Sequence, residues 1–184
     1  MYRLRKTIEA ASYFLVRAGS ELPYIKLIKL LYLADREQMK RRGQTITGDT
    51  YWSLKYGPIL EHTLDAIKCG NPDWNVHMQT DEAAMVISLL SEAAPAALSR
   101  AELQVLEDTW CEFGHMRWPD LVAFTHDLSE WTPVTSGRKR IHIEDVARAL
   151  GYSEVDVKQI LAAAEERDEI ASMMEPLLYK PVHA

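Results

Sequence analysis

The sequence predicts a mainly α protein: a compact multi-helix domain with a small β-hairpin and a C-terminal helical hairpin. Three observations support this fold class. Apolar residues recur mostly at helical spacing, prolines or capping residues precede several of these segments, and glycines follow their last turns. One stretch, residues 45–54, alternates loosely in the manner of strands.

The composition is that of a folded protein with one core. Of the 184 residues, 47% are hydrophobic and 26% are charged, and a globular chain of this size buries most of its apolar surface. No apolar run approaches the roughly 20 residues of a membrane-spanning helix, and no signal peptide is readable at the start. Cys69 and Cys111 have neither disulfide nor metal spacing, so we expect a reduced, cytoplasmic protein without a metal. The net charge of −6, from 21 basic and 27 acidic residues, argues against a chain-wide nucleic-acid surface.

Two helices are expected in the first quarter of the chain. The first, 7–18, carries an apolar stripe and stops at Gly19. The second begins at Pro23, because a helix tolerates proline in its first turn, and ends at Gly43.

A β-hairpin and a third helix should follow. Residues 45–54 have turn residues at Gly48 and Asp49, which predicts a short hairpin centred there. Pro58 is again a helix-start proline, and it predicts a helix over 59–68.

The remaining chain is predicted to be helical with one long loop. Residues 81–92 suit either a strand or a buried helix, and their length and alanines favour the helix. Ser99 and Glu102 form a capping-box pattern before a helix that ends at Gly114. The other expected elements are a helix over 120–126, a loop over 128–140, and helices over 143–150 and 153–174. We therefore divide the chain into a main domain, 1–140, and a C-terminal helical hairpin, 141–184, within the same compact unit.

Asp35 is the most informative candidate residue. It lies on the apolar face of the second helix, in line with Ile28, Leu31 and Met39. A buried carboxylate needs hydrogen bonds or a cation, since desolvation alone would neutralise it. We interpret Asp35 as a strut that binds loop N–H groups, because no second acid, metal ligand or nucleophile has a spacing that indicates catalysis.

The segment 51–58 is open to two interpretations. Gly57 can adopt positive φ and Pro58 restricts the chain, so the segment forms a sharp corner. This corner is either a packed turn or a surface that presents aromatic and basic side chains to a partner. The candidate partner-binding residues are Tyr51, Lys55, Tyr56, Gly57 and Pro58.

Strand alternation divides the side chains of this segment into two sets. We expect Trp52, Leu54 and Tyr56 to face the core. We expect Tyr51 and Lys55 to face the partner.

The sequence contains no recognisable catalytic motif. His126 and Asp127 resemble part of a hydrolase triad, but no serine or cysteine lies in a nucleophile-elbow context. Zinc and phosphate-loop motifs are also absent from the sequence. We therefore expect no enzymatic activity and no cofactor.

The last two predicted helices have helix-turn-helix character. Ala147 and Gly151 occupy the small and turn positions of such a motif, but Glu154 and Asp156 open its second helix, where phosphates would repel them. We favour a structural or partner-facing hairpin, and keep a DNA-binding transcriptional regulator as the alternative. That alternative depends on the candidate nucleic-acid residues Arg138, Lys139 and Arg140.

Several of these features occur together in one ordered pattern. A Lys-Leu-x-Tyr-x-x-Asp helix precedes an Ile-Thr-Gly-Asp turn, an aromatic strand and a Tyr-Gly-Pro corner. The residues are Lys29, Leu30, Tyr32, Asp35, Ile46, Thr47, Gly48, Asp49, Tyr51, Tyr56, Gly57 and Pro58. This pattern resembles the signature of the Panacea domain, the SocA-like antitoxin family. A later segment with Thr125, His126 and Trp131 is similar to the family's Thr-His…Trp segment, so the resemblance covers roughly residues 7–135.

The resemblance implies a mainly helical antitoxin domain that neutralises a cognate toxin, usually encoded beside it, by direct protein–protein binding. It also implies a second mode, that of a SocA-like proteolytic adaptor, in which the toxin is delivered to a protease such as ClpXP. We expect no membrane partner, and DNA is the less favoured partner. Beside this resemblance, the residues themselves lead us to expect that Asp35 is a brace under the Tyr-Gly-Pro corner. The structural and motif residues that we expect are Lys29, Tyr32, Asp35, Gly48, Asp49, Trp52, Thr125, His126 and Trp131.

Overall fold

The computed structural model describes residues 1–178, with side chains described to residue 173. Within this range it contains eight helices and two three-stranded antiparallel sheets. The elements are α1 Leu4–Arg17, β1 Glu21–Pro23, α2 Tyr24–Arg42, β2 Tyr51–Leu54, β3 Gly57–Leu60, α3 Glu61–Cys69, α4 Pro72–His77, β4 Met78–Asp81, β5 Val86–Leu89, α5 Arg100–Phe113, α6 Trp118–His126, β6 Lys139–Ile141, α7 Ile143–Ala149 and α8 Glu154–Leu178. The mainly α class is confirmed, but the chain contains more strand than the single predicted hairpin.

Helix α2 is the centre of the fold. Every residue from 26 to 35 is buried, because α1, α5, α6 and β3 pack around the helix. A helix buried on all sides must also enclose its polar side chains. Those of Lys29, Tyr32 and Asp35 therefore lie inside the protein, and the candidate site is built on them.

The predicted hairpin exists, but it lies further along the chain. Its strands are β2 and β3 and its turn is at Lys55 and Tyr56, whereas residues 45–50 form a loop. Pro58 lies inside β3 rather than at a helix start, and α3 begins at Glu61. Proline is tolerated there because β3 is an edge strand of the sheet ordered β3-β2-β6.

The helix predicted over 81–92 is wrong. Strands β4 and β5 form a hairpin in this region, and β1 pairs along β5 with Leu22 opposite Ile87. The Ile87 side chain is completely buried. A short apolar run does not distinguish a strand from a buried helix, and the pairing with the distant β1 selects the strand.

The predicted loop over 128–140 also contains the start of a strand. Residues Lys139–Ile141 form β6, which pairs with β2 and completes the second sheet. The proposed division at residue 140 therefore falls within β6.

Most predicted helix ends are close to the observed ones, since their signals are local. Ser99 and Glu102 form the predicted capping box of α5, which ends before Gly114. Pro23 ends β1 and directly precedes α2, and Gly43 caps α2 in the left-handed conformation.

The C-terminal helices α7 and α8 pack on each other and on the end of α2. The Tyr152 hydroxyl donates to the carbonyls of Met39 and Lys40, both at 3.0 Å. Val157 and Ile160 are buried in the same core as the rest of the protein. None of the helices within residues 1–178 combines the length and apolar character needed to cross a membrane.

Candidate partner-binding site

A buried carboxylate on α2 holds the loop that leads into β2. Asp35 accepts hydrogen bonds from the N–H groups of Ile46 (2.7 Å) and Thr47 (2.9 Å). It also accepts from the hydroxyls of Tyr51 (2.9 Å) and Thr47. Burial raises the pKa of Asp35 to about 6, although the four donors oppose this rise by stabilising the charged form. These hydrogen bonds hold the loop against α2, as expected for Asp35 acting as a strut.

A second carboxylate in this loop caps the next helix. Asp49 accepts from the N–H groups of His62 (3.0 Å) and Thr63 (2.9 Å), in the first turn of α3. The preceding Gly48 has φ +62°, and a Cβ there would clash with the Met1 carbonyl oxygen. Both residues therefore shape the loop.

A buried lysine holds the Tyr-Gly-Pro corner. Lys29 is 1% exposed, and its Nζ donates to the Pro58 carbonyl at 2.6 Å. Desolvation lowers the pKa of Lys29 to about 7. Gly57 has φ +90°, and a Cβ there would lie 2.7 Å from both Lys29 Nζ and Thr125 Oγ1. The expectation that Asp35 braces this corner is wrong, because Asp35 binds the preceding loop and Lys29 binds the corner.

The Thr-His…Trp segment packs against the same hairpin. The His126 and Trp131 rings are stacked with centroids 3.9 Å apart, and desolvation lowers the pKa of His126. Trp131 Nε1 donates to the Leu54 carbonyl at 3.3 Å, and the Thr125 hydroxyl donates to the Val122 carbonyl at 3.1 Å. The arrangement is one of packing and hydrogen bonding around the end of β2.

Tyr32 has a comparable interior role. Its hydroxyl donates to Glu130 Oε1 at 2.9 Å, and Arg36 Nε donates to the same oxygen at 2.8 Å. The pKa of Tyr32 is raised well above its usual value, first by burial and then by the charge of Glu130. This contact ties α2 to the segment that carries Trp131.

The predicted inward and outward faces of β2 are reversed. Tyr51 is 3% exposed and Ser53 is completely buried, whereas Trp52 and Leu54 are only half-buried. Tyr51 therefore cannot face a partner. The alternation of side chains along a strand separates them into two faces but does not show which face is buried. In β2 the buried face is that of Tyr51, whose hydroxyl donates to the buried Asp35 carboxylate.

Lys55 and Tyr56 are exposed at the tip of the hairpin, and the half-buried Trp118 at the start of α6 lies beside them. We call the surface formed by Lys55, Tyr56 and Trp118 the turn patch. Tyr56 is 49% exposed, contrary to the inward orientation expected for it. Its ring lies edge-to-face with Trp118, 6.4 Å between centroids, and Lys55 Nζ lies 5.5 Å from the Tyr56 ring. Gly57 and Pro58, which follow in the chain, are buried. Sequence reasoning missed Trp118, since no local signal links it to residues so distant in the chain.

The three basic residues 138–140 have different contacts. Arg138 forms an ion pair with Glu61, and its guanidinium lies 4.1 Å from the Trp52 ring centroid. Lys139 Nζ donates to the Thr132 hydroxyl at 3.3 Å. Arg140 is exposed and lies opposite Trp52 in the β2–β6 pairing. The described residues also contain no cluster of three histidine, cysteine or acidic side chains that could hold a metal.

The segment that carries these features matches a family model. The family model "Antitoxin SocA-like, Panacea domain" matches residues 27–132. This match spans more than half of the 184-residue chain, and the protein belongs to that family. The matched segment contains Lys29, Asp35, the turn patch and Trp131, whereas α7 and α8 lie outside it. No curated protein and no solved structure matches this chain.

Proposed function

We propose that this protein is a non-catalytic, cytoplasmic antitoxin that neutralises a cognate toxin by binding it directly. The observation that carries the proposal is the antitoxin family match over residues 27–132. The toxin is the product of an adjacent open reading frame. Binding either sequesters the toxin or, in the adaptor mode, presents it to a protease.

The turn patch supports this proposal as a contact surface for the toxin. Tyr56 presents aromatic area at the hairpin tip beside Trp118 of α6, and Lys29 holds the backbone of the tip through the Pro58 carbonyl. Aromatic anchors on a rigid support lose little conformational entropy on binding, so a few of them can dominate the affinity. Lys55 adds a cation at the edge of the same patch.

Charge favours a protein partner over DNA. Helix α8 would be the reading helix of a helix-turn-helix, yet it begins with Glu154 and Asp156. Arg148, on the preceding helix, pairs with Glu154 at 2.7 Å and with Asp145 at 3.6 Å. A DNA backbone would meet carboxylates at the point where it needs free cations.

Co-expression with the adjacent open reading frame tests the proposal. We expect the neighbour to arrest growth alone and to be harmless beside the wild-type protein. Tyr56→Ala should weaken binding about tenfold or more, because it removes a central anchor, while leaving the melting temperature nearly unchanged. Leu90→Ala is the matched control, since Leu90 is 57% exposed on another part of the surface.

Two results would contradict this proposal. If the neighbour is harmless alone, or stays toxic beside the wild-type protein, the antitoxin function is wrong. If Tyr56→Ala and Lys55→Ala both neutralise fully, the toxin contacts a surface other than the turn patch. The toxin's half-life with and without the antitoxin separates adaptor from sequestration, since only an adaptor shortens it.

A further inference from the structure

Helix α8 has two apolar faces, and only one of them is covered. Val157 and Ile160 are 2% and 9% exposed where the helix packs on the protein. At 3.6 residues per turn, Ala163, Ile170 and Met173 project to the other side. Ile170 is 54% exposed and Met173 is 72% exposed, so this second apolar face has no partner in residues 1–173.

Most of the chain's net charge lies on this helix. Residues 154–178 contain seven acidic and two basic residues, a net charge of −5, whereas the whole chain has a net charge of −6. Glu166 lies within the exposed apolar face, and Glu165 and Glu169 lie on its side. All three carboxylates are exposed, and none forms an ion pair within the described part of the chain. We call this surface the acidic stripe: Ala163, Glu165, Glu166, Glu169, Ile170 and Met173.

We propose that the acidic stripe is a second docking surface for the toxin, and that it binds an apolar groove rimmed by lysine or arginine. This inference rests on the proposed antitoxin function and names the chemistry of the partner. An amphipathic helix binds such a groove through side chains at i, i+3, i+4 and i+7 spacing. Ala163, Glu166, Ile170 and Met173 have this spacing. Opposite charges around the apolar contacts accelerate the encounter and select the partner.

The charge of the stripe disfavours the other occupants of such a face. In a parallel pair of copies, Glu166 of one chain would lie against Glu166 of the next, which disfavours self-association. Nucleic acid and anionic lipid surfaces would be repelled for the same reason. A basic protein surface is the occupant that both the apolar side chains and the carboxylates fit.

The stripe and the turn patch belong to different parts of the chain. The turn patch lies within the family match at residues 27–132, and α8 lies beyond it. Substitutions in the two surfaces can therefore be made separately, and each can be tested in the full-length protein.

The test uses the full-length protein and the purified product of the adjacent open reading frame. Two variants alter the stripe: Ile170→Ser with Met173→Ser removes apolar area, and Glu165→Lys with Glu169→Lys reverses charge. The control Glu82→Lys with Glu92→Lys makes the same charge change at exposed sites outside α8. Circular dichroism and the melting temperature establish that each variant is folded.

We expect each stripe variant to bind about tenfold or more weakly, and the control to bind as the wild type does. Wild-type binding should weaken as salt rises, and the charge-reversed variant should lose most of this dependence. If both stripe variants bind and neutralise as the wild type does, the acidic stripe is not a docking surface, while the antitoxin function stands. If the wild-type protein does not neutralise its neighbour, both proposals are wrong.

Self-association gives a further way to overturn the inference. If the wild-type protein sediments as a dimer and Ile170→Ser with Met173→Ser makes it monomeric, the stripe binds a second copy. A monomer at all concentrations, for both wild type and variant, agrees with the toxin as occupant.

Discussion

Replacing Asp35 by alanine is the sharpest test of the interior of this protein. The substitution removes one carboxylate that serves four donors: two backbone N–H groups and two hydroxyls in residues 46–51. Asp35 is 1% exposed, so water does not reach these donors in the folded wild type. The loop into β2 should lose its attachment to α2.

The magnitude follows from the number of donors left without an acceptor. A buried donor without a partner costs roughly 1–3 kcal/mol, and the N–H groups of Ile46 and Thr47 have no means to reorient. The hydroxyls of Thr47 and Tyr51 can rotate toward other acceptors, and removal of a buried charge offsets part of the loss. We therefore expect the free energy of unfolding to fall by about 2–4 kcal/mol, a large part of the total of roughly 5–15 kcal/mol for a domain.

Urea unfolding and amide hydrogen exchange measure the two parts of this effect. Asp35→Asn should cost less than Asp35→Ala, because the amide oxygen still accepts from the two N–H groups. Asp65→Ala is the control, since Asp65 is an exposed aspartate on α3. Unchanged stability, together with unchanged exchange protection at Ile46 and Thr47, would refute the role of Asp35 as a strut.

Two further predictions concern the Tyr-Gly-Pro corner. Gly57→Ala should lower the free energy of unfolding, measured by thermal unfolding, by about 1–3 kcal/mol. The reason is that φ at this position is +90° and the new Cβ would lie 2.7 Å from Lys29 Nζ and Thr125 Oγ1. Gly19→Ala is the control and should cost less, because Gly19 has φ +82° but open space around it. Lys29→Met should remove a pH dependence: the folded lysine has a pKa of about 7 against 10.5 in the unfolded chain, so the unfolded state binds more protons between these values. The free energy of unfolding of the wild type should then rise by up to about 1.4 kcal/mol per pH unit from pH 7 to 9 relative to the variant. Urea unfolding of both proteins at pH 7, 8 and 9 measures this rise, and a difference between them that does not change with pH would contradict it.

Sequence reasoning was accurate where the signal and the structure are adjacent in the chain. The capping box of Ser99 and Glu102 occurs as predicted, and Gly43 ends α2. Such features depend on hydrogen bonds within one or two helical turns, so the residues that form them can be read together. The burial of Asp35 was also predictable, because the apolar face of a helix packs into the core and Asp35 lies on that face.

The strands were less predictable, because their partners are distant in sequence. Residues 86–89 form a strand through pairing with β1, and 139–141 form one through pairing with β2. The orientation of β2 likewise depends on the Tyr51 hydroxyl reaching Asp35 on another element. Alternation shows that Tyr51 and Trp52 point in opposite directions, and the core decides which of them is buried.

The amino-acid sequence thus specifies a mainly helical protein, the family signature and the interior carboxylate, since propensity, capping and apolar periodicity act over a few residues. The candidate binding surface depends on the folded chain. Tyr56 meets Trp118, and Lys29 meets the Pro58 carbonyl, only after the hairpin and α6 pack around α2. Contacts between separated segments form when the gain from packing exceeds the entropy of closing the chain between them, and this balance cannot be read from either segment alone.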